Sequence, residues 1–154
     1  MNLLKEMICM NDRIFTLDTN ILIYAIDHDA KEKHKIASNL IDTAMDTGCV
    51  LTLQVLSEFY AATTRKNYLS HQESTEIVMN FMKIFPIIPA TAHSLEKALH
   101  AKQKYNLQFW DSLLWATAKE GHCKLIVSED FQHQQVIDGV KIFNPFIDED
   151  FPDF

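Results

Sequence analysis

The chain has 154 residues, 47% of them apolar and 23% charged, a balance that fits one folded domain and excludes wholesale disorder. Its 14 Lys and Arg stand against 21 Asp and Glu, a net charge of −7, so it lacks the overall basic character of most nucleic-acid binders. Three Gly and four Pro are too few turn residues for an all-β domain, and helix-rich classes are favoured.

Four of the acids, Asp148, Glu149, Asp150 and Asp153, crowd the last seven residues, so the body is closer to neutral. Cys9, Cys49 and Cys123 are odd in number and far apart, in no metal-ligand spacing, and read as buried thiols in a reducing compartment. No apolar run approaches the ~18 residues that span a bilayer. Met1 to Asp12 carries Lys5 and Glu6 and lacks a small-residue cleavage site, so it does not read as a signal peptide. No membrane association and a cytoplasmic location are expected.

In chain order, Arg13–Leu17 (RIFTL) reads as a strand and Asn20–Ile26 as a short helix. Lys31–Thr47 is helical, with Ile36, Leu40, Ile41 and Ala44 at spacings of three and four, and Gly48 is the expected C-cap. Cys49–Leu53 is the second strand and Gln54–Lys66 a helix with Val55, Phe59 and Ala62 inward. Ser70 and Glu73 form a capping box for a helix that stops before Pro86. Pro86–Pro89 is at best a short edge strand. Thr91 caps a helix to about Tyr105, and Phe109–Glu120 is a further helix closed by Gly121. Cys123–Val127 and Val140–Phe143 complete the strands. Strands separated by helices predict right-handed crossovers and a parallel sheet, with hairpins excluded. The end, Pro145–Phe154, mixes acids with Phe146, Phe151 and Phe154 and reads either as a tail folded over the body or as a disordered end.

In parallel α/β sheets, ligands bind outside the carboxyl ends of the strands. Four segments each deliver a carboxylate there: Asp18 after the first strand, Glu58 one turn into the helix after the second, Asp111 at the start of its helix, and Asp130 after Val127. Each alone has a bland reading as a cap, a helix-dipole partner or a turn residue. Together they imply a site. Two unit charges 4 Å apart repel by about 4 kcal/mol at an effective dielectric of 20, so converging carboxylates need protons or a hard divalent cation, Mg²⁺ or Mn²⁺. None of the seven histidines has zinc-ligand spacing; His133 lies near the Asp130 loop and is expected at the surface.

At these residues the chain resembles PIN-domain nucleases, particularly the VapC-type toxins of bacterial toxin–antitoxin pairs. The matching stretches are LDTNILIYA (Leu17–Ala25), QVLSEFYAATTRK (Gln54–Lys66), FWDSLLWATAKEGHCKLIVSEDFQH (Phe109–His133) and VIDGVKIFNPF (Val136–Phe146). The resemblance implies a three-layer α/β/α sandwich around a parallel sheet over residues 13–146, flanked by an extension, 1–12, and an acidic tail, 147–154. It also implies a metal-dependent endoribonuclease using Mg²⁺ or Mn²⁺, with Asp18, Glu58, Asp111 and Asp130 as its acids and metal ligands. Thr19, Asn20 and Ser128 match the polar helpers, while the role of Glu129 stays open. An RNA substrate, a protein antitoxin and a homodimer follow as expected partners. Apolar residues around Phe81, Met82 and Leu95 to Leu99 are candidates for dimer surface.

A phosphodiester would be repelled by bare carboxylates; divalent cations would reverse that and acidify an attacking water. Candidate phosphate contacts are Arg65 and Lys66, which close the helix carrying Glu58, and Lys102 and Lys104, which precede the loop into Asp111; solvated helix-end charge is the plainer reading of each group. Tyr24, Tyr60 and Trp110 are candidates for base stacking or for packing. Two other classes remain: a module on the same fold that binds RNA or a partner without cutting, and a hydrolase of DNA or phosphate monoesters.

Overall fold

The structure is a computed structural model that describes residues 13–148 and 150–152; the expected extension, 1–12, lies outside the described residues. Phe15–Leu17 forms β1 and Thr19–Tyr24 the short helix α1. A 3-10 turn at His28–Ala30 leads into α2, Glu32–Ala44. β2, Cys49–Thr52, passes directly into α3, Leu53–Arg65, whose first turn is capped by the Thr52 hydroxyl. Then come α4 (His71–Ile84), β3 (Ile87–Ile88), α5 (Ala92–Tyr105) and α6 (Phe109–Glu120). β4 (Leu125–Val127), β5 (Val136–Ile137) and β6 (Val140–Phe143) follow.

The strand order is β3-β2-β1-β4-β6-β5, with every pairing parallel except β5 with β6. Every residue of β1, β2 and β4 is buried, which requires helices on both faces of the sheet. α1 packs on α2 and α3, α3 on α4, and α5 on α6. Leu17, Leu51, Phe59, Leu114, Ile126 and Ile142 fill the interior without exposure to solvent beyond about a hundredth of their surface. The helix starts carry the expected chemistry. Ser70 and Glu73 close a full capping box on α4, and the Thr91 hydroxyl accepts the Ser94 N–H on α5.

Two expectations need correction. The sheet does contain a hairpin: β5 and β6 are joined by Asp138 and Gly139, both at positive φ (45° and 83°). That two-residue Asp-Gly turn matches the twist of antiparallel strands, and it escaped notice because β5 is only two residues long. Gly48 is not the C-cap of α2, which ends at Ala44 with Met45 as its cap. Gly48 is needed for close approach instead, since a Cβ there would sit 2.3 Å from the Arg13 carbonyl oxygen. Of the acidic tail, Phe151 packs back on the body: its ring lies edge-on to Phe15 (5.3 Å) and Phe143 (5.5 Å).

From β1 the chain steps outward to β2 and β3, then returns to place β4 on the other side of β1. The crevice at the carboxyl ends of β1 and β4 is therefore a topological switch point, the position at which open α/β sheets bind ligands.

Candidate active site

Asp18 leaves β1 in extended geometry and caps α1. Its N–H still pairs with the Val127 carbonyl of β4 (2.9 Å), so sheet hydrogen bonding fixes the backbone beneath the side chain. One carboxylate oxygen accepts the Thr19 N–H (2.7 Å) and the other the Ser128 hydroxyl (2.5 Å). Ser128 Oγ in turn accepts the Asp130 N–H (3.1 Å), and Asn20 Nδ2 donates to Asp130 Oδ2 (3.0 Å). Asp111 stands in the first turn of α6, whose cap residue Gln108 makes no side-chain capping bond.

Asp18, Asp111 and Asp130 each offer an oxygen, and all three oxygens lie within 4.8 Å of one another. Magnesium–oxygen bonds are about 2.0–2.1 Å, so opposite ligands of one ion stand about 4 Å apart. The oxygens, spread over up to 4.8 Å, would have to draw slightly together around such an ion; the all-oxygen donor set suits a hard cation, and among the described residues no His or Cys joins the group. The side-chain oxygen of Asn20, beside the cluster, is buried without a hydrogen-bond partner among the described residues. The three aspartates line a cavity of about 450 Å³ together with Glu58, Arg65 and Trp110.

Burial raises the acids of this cluster. Asp18 is pushed up from 3.8 to about 7, chiefly by desolvation; the Ser128 and Thr19 hydrogen bonds oppose the rise, and the charges of Asp130 and Asp111 add to it. Desolvation also drives Asp111 up to about 6, with Asp130 and Glu58 contributing by repulsion. Asp130 is raised by burial first and by Glu129 second, while Asn20 and Lys33 pull it down. Mutual repulsion, the cause offered by the sequence, is thus second to desolvation.

Glu58 lines the same cavity but is not one of the three clustered oxygens. It is held by the Thr19 hydroxyl (3.0 Å, to Oε2) and by Gln54 Nε2 (2.7 Å, to Oε1). Gln54 was missed by the sequence reading. Its amide also donates to the Trp110 carbonyl (3.0 Å), tying α3 to the start of the helix that carries Asp111. The available signal was its place one turn before Glu58 on the same helix face.

Of the candidate phosphate contacts, Arg65 lines the cavity. Lys66 lies over the Tyr68 ring and Lys104 over the Tyr105 ring, and neither they nor Lys102 contribute to the cavity wall. Trp110 is 59% exposed at the rim, a large ring left in solvent beside the site. Tyr60 pairs with His71, and His133 accepts the Asn144 N–H while packing on Phe143. Glu129 turns away from the cluster to Tyr24 and Lys33.

The sequence matches the model of the PIN domain over residues 15–138. The chain belongs to the PIN-domain family. PIN domains are nucleases, and the fold agrees with that of toxins from toxin–antitoxin pairs. A toxin–antitoxin complex from Klebsiella pneumoniae is 23% identical, with TM-score 0.61 over 84% of this chain and 96% of that one. DNA-bound VapBC from Salmonella typhimurium is 15% identical, with TM-score 0.63 over the same shares. VapC20 of Mycobacterium tuberculosis, described as a toxin that cleaves the sarcin–ricin loop, is 14% identical, with TM-score 0.60 over 73% of this chain and 86% of that one. No curated protein matches the chain. No helix among the described residues is long and apolar enough to cross a membrane.

Proposed function

We propose that this PIN domain is an endoribonuclease dependent on Mg²⁺ or Mn²⁺ and the toxin of a toxin–antitoxin pair. The observation that carries the reading is the convergence of Asp18, Asp111 and Asp130 within 4.8 Å at the switch point of the sheet. Three converging carboxylates with raised pKa values, Asp18 buried, Asp111 half-buried and Asp130 at the exposed rim, have no structural use for one another; a bound cation gives them one.

In this reading Asp18, Asp111 and Asp130 hold the cation, which when bound polarises a phosphodiester oxygen and acidifies the attacking water. Ser128 and Thr19 orient Asp18, and Asn20 orients Asp130. Glu58, steadied by Thr19 and Gln54, orients the attacking water and accepts its proton. Arg65 provides the positive charge on the cavity wall for a neighbouring phosphate. Trp110 offers its ring to a base of an unpaired strand. Lys66, Lys102 and Lys104 would act only on more distant phosphates.

The toxin reading brings a protein partner: an antitoxin that covers the cavity and inserts an Arg or Lys among the aspartates in place of the cation. The VapBC and FitAB structures that share the fold support it. A homodimer is also proposed, through Met79, Met82 and Ile84 of α4 and Leu95 and Leu99 of α5, which are 43–51% exposed. Phe81, by contrast, packs against the core.

Single-stranded RNA, single-stranded DNA and a phosphate monoester, each offered with Mg²⁺, Mn²⁺ or EDTA, test the reading. RNA cleavage abolished by EDTA is expected. Cleavage that survives chelation overturns the metal dependence, preference for DNA or the monoester overturns the substrate class, and RNA binding without cleavage leaves a binding module.

A further inference from the structure

Glu129 and Asp130 are consecutive residues after β4, and they part company completely. Asp130 enters the cluster. Glu129 is gripped from the other side: Tyr24 donates its hydroxyl to Oε1 (2.5 Å) and Lys33 donates its ammonium to Oε2 (2.5 Å). Lys33 also reaches the Tyr24 hydroxyl (3.2 Å), so the three polar groups satisfy one another. The ammonium lies over the rings of Tyr24 (4.7 Å) and Phe146 (5.0 Å), and those rings meet edge-on at 5.3 Å. The clamp therefore draws on four segments: the last residue of α1, the first turn of α2, the turn after β4 and the stretch after β6. A surface lysine meeting a glutamate by chance does not bring two rings and a hydroxyl to the same point.

We propose that Lys33, acting with Tyr24, is a positioning residue that holds the Glu129 carboxylate out of the metal site, so that this segment offers Asp130 alone. The proposal rests on the cation-binding reading of the aspartate cluster. Glu129 is the neighbour of a ligand and has a flexible three-bond side chain; unclamped in the presence of a divalent cation, it would be a fourth carboxylate. Its effect would be selective. Mg²⁺ keeps a strict octahedral shell at about 2.0–2.1 Å, whereas Ca²⁺ accepts six to eight oxygens and bidentate carboxylates. A free Glu129 would favour the larger ion, and the clamp keeps the site matched to the smaller one.

The test is the ratio of Ca²⁺ to Mg²⁺ affinities, measured by calorimetry or by displacement of Mn²⁺ in electron paramagnetic resonance. The proteins are wild type, Lys33→Met, Lys33→Arg, Glu129→Gln and the Lys33→Met/Glu129→Gln double variant. Loss of the Lys33 charge alone strengthens binding of all divalent ions alike and leaves the ratio where it was. Release of Glu129 moves it, and Lys33→Met is expected to shift the ratio toward Ca²⁺ by about tenfold. Lys33→Arg should keep the wild-type ratio, and the double variant should return to the ratio of Glu129→Gln. An unchanged ratio in Lys33→Met, or a shift that survives in the double variant, overturns the proposal. If Lys33→Met does not fold, Glu129→Gln decides: a wild-type ratio supports the clamp, and loss of cation binding makes Glu129 a ligand and overturns it. Wild-type protein that binds no divalent cation overturns the cation-site reading itself, an outcome distinct from these.

Discussion

The acids at the two edges of the sheet live in opposite surroundings. At the carboxyl edge Asp18 and Asp111 are raised by burial and by neighbouring carboxylates, Asp130 by burial and by Glu129, and among the described residues no cationic side chain bonds to them. Beyond the other ends of the strands Glu120 accepts hydrogen bonds from Ser94 and Thr91 at the start of α5, and Asp138 in the hairpin turn pairs with Lys119 (2.7 Å). Both of those carboxyls are lowered, Glu120 chiefly by Ser94 and Asp138 chiefly by Lys119. Glu120 and Asp138 are paired with side-chain donors and stabilised in their charged form. The clustered acids, which the proposed function assigns to chemistry, are gathered at a cost that a bound cation would offset.

The largest way to break this contrast is Asp111→Asn. It should abolish nuclease activity, a loss of at least about a thousandfold in kcat for a removed metal ligand. The same change should stabilise the metal-free protein at pH 7 by about 1–2 kcal/mol, since Asp111 is only half-buried and solvent screens part of its penalty. Thermal melts in EDTA and in Mg²⁺ check both halves: the wild type should gain stability with Mg²⁺, and the mutant should gain much less. A mutant that melts lower than wild type in EDTA and still responds fully to Mg²⁺ removes Asp111 from the site.

The pH dependence follows from the same acids. An acid whose folded pKa lies above its unfolded value binds more protons when folded, so it leaves stability untouched below about pH 4 and lowers it as pH rises to the folded value. With Asp18 at about 7 and Asp111 at about 6, the metal-free protein should lose stability between roughly pH 4 and 7 and level off above. Asp18 alone accounts for about 4 kcal/mol of that slope. Urea titrations in EDTA across this range measure it, and Asp18→Asn should flatten the profile. Glu120 has the opposite sign: its contribution is present above its unfolded pKa and fades as pH falls through the lowered one.

Two smaller effects sharpen the contrast. Trp110→Ala should raise the KM for single-stranded RNA about tenfold, since stacking on one base is worth about 1–3 kcal/mol, while kcat and the melting temperature stay near wild type. An unchanged KM removes the ring from substrate binding. Thr91→Ala should cost about 1 kcal/mol of stability by loss of the α5 cap, with cation affinity unaltered. A change in cation affinity there would show that the two edges are coupled.

The four acids were legible because each stands at a strand end or helix start that local patterning locates, and because the DTN, WD and SED stretches match the family. Gln54 and Lys33 were not legible. Gln54 carries no signal of its own at a helix start, and its meaning depends on a Trp110 carbonyl 56 positions away. Lys33 stands in a run of charges at a helix start, and only the fold brings Glu129, 96 positions on, beside it. The β5–β6 hairpin hid for another reason: two residues carry too little alternation to register as a strand, although Asp138-Gly139 is a strong hairpin signal.

By itself the sequence determined the succession of elements apart from β5, because apolar periodicity and capping chemistry act within a few residues and survive without the fold. It also determined that carboxylates gather at one edge, because parallel crossovers leave every strand's carboxyl end on the same side. Tertiary structure alone decided which carboxylates meet. Asp18, Asp111 and Asp130 converge, Glu58 is drawn aside by Thr19 and Gln54, and Glu129 is turned away by Tyr24 and Lys33. Those choices rest on hydrogen bonds between residues tens of positions apart, and burial, the main cause of the raised acids, exists only once the helices close over both faces of the sheet.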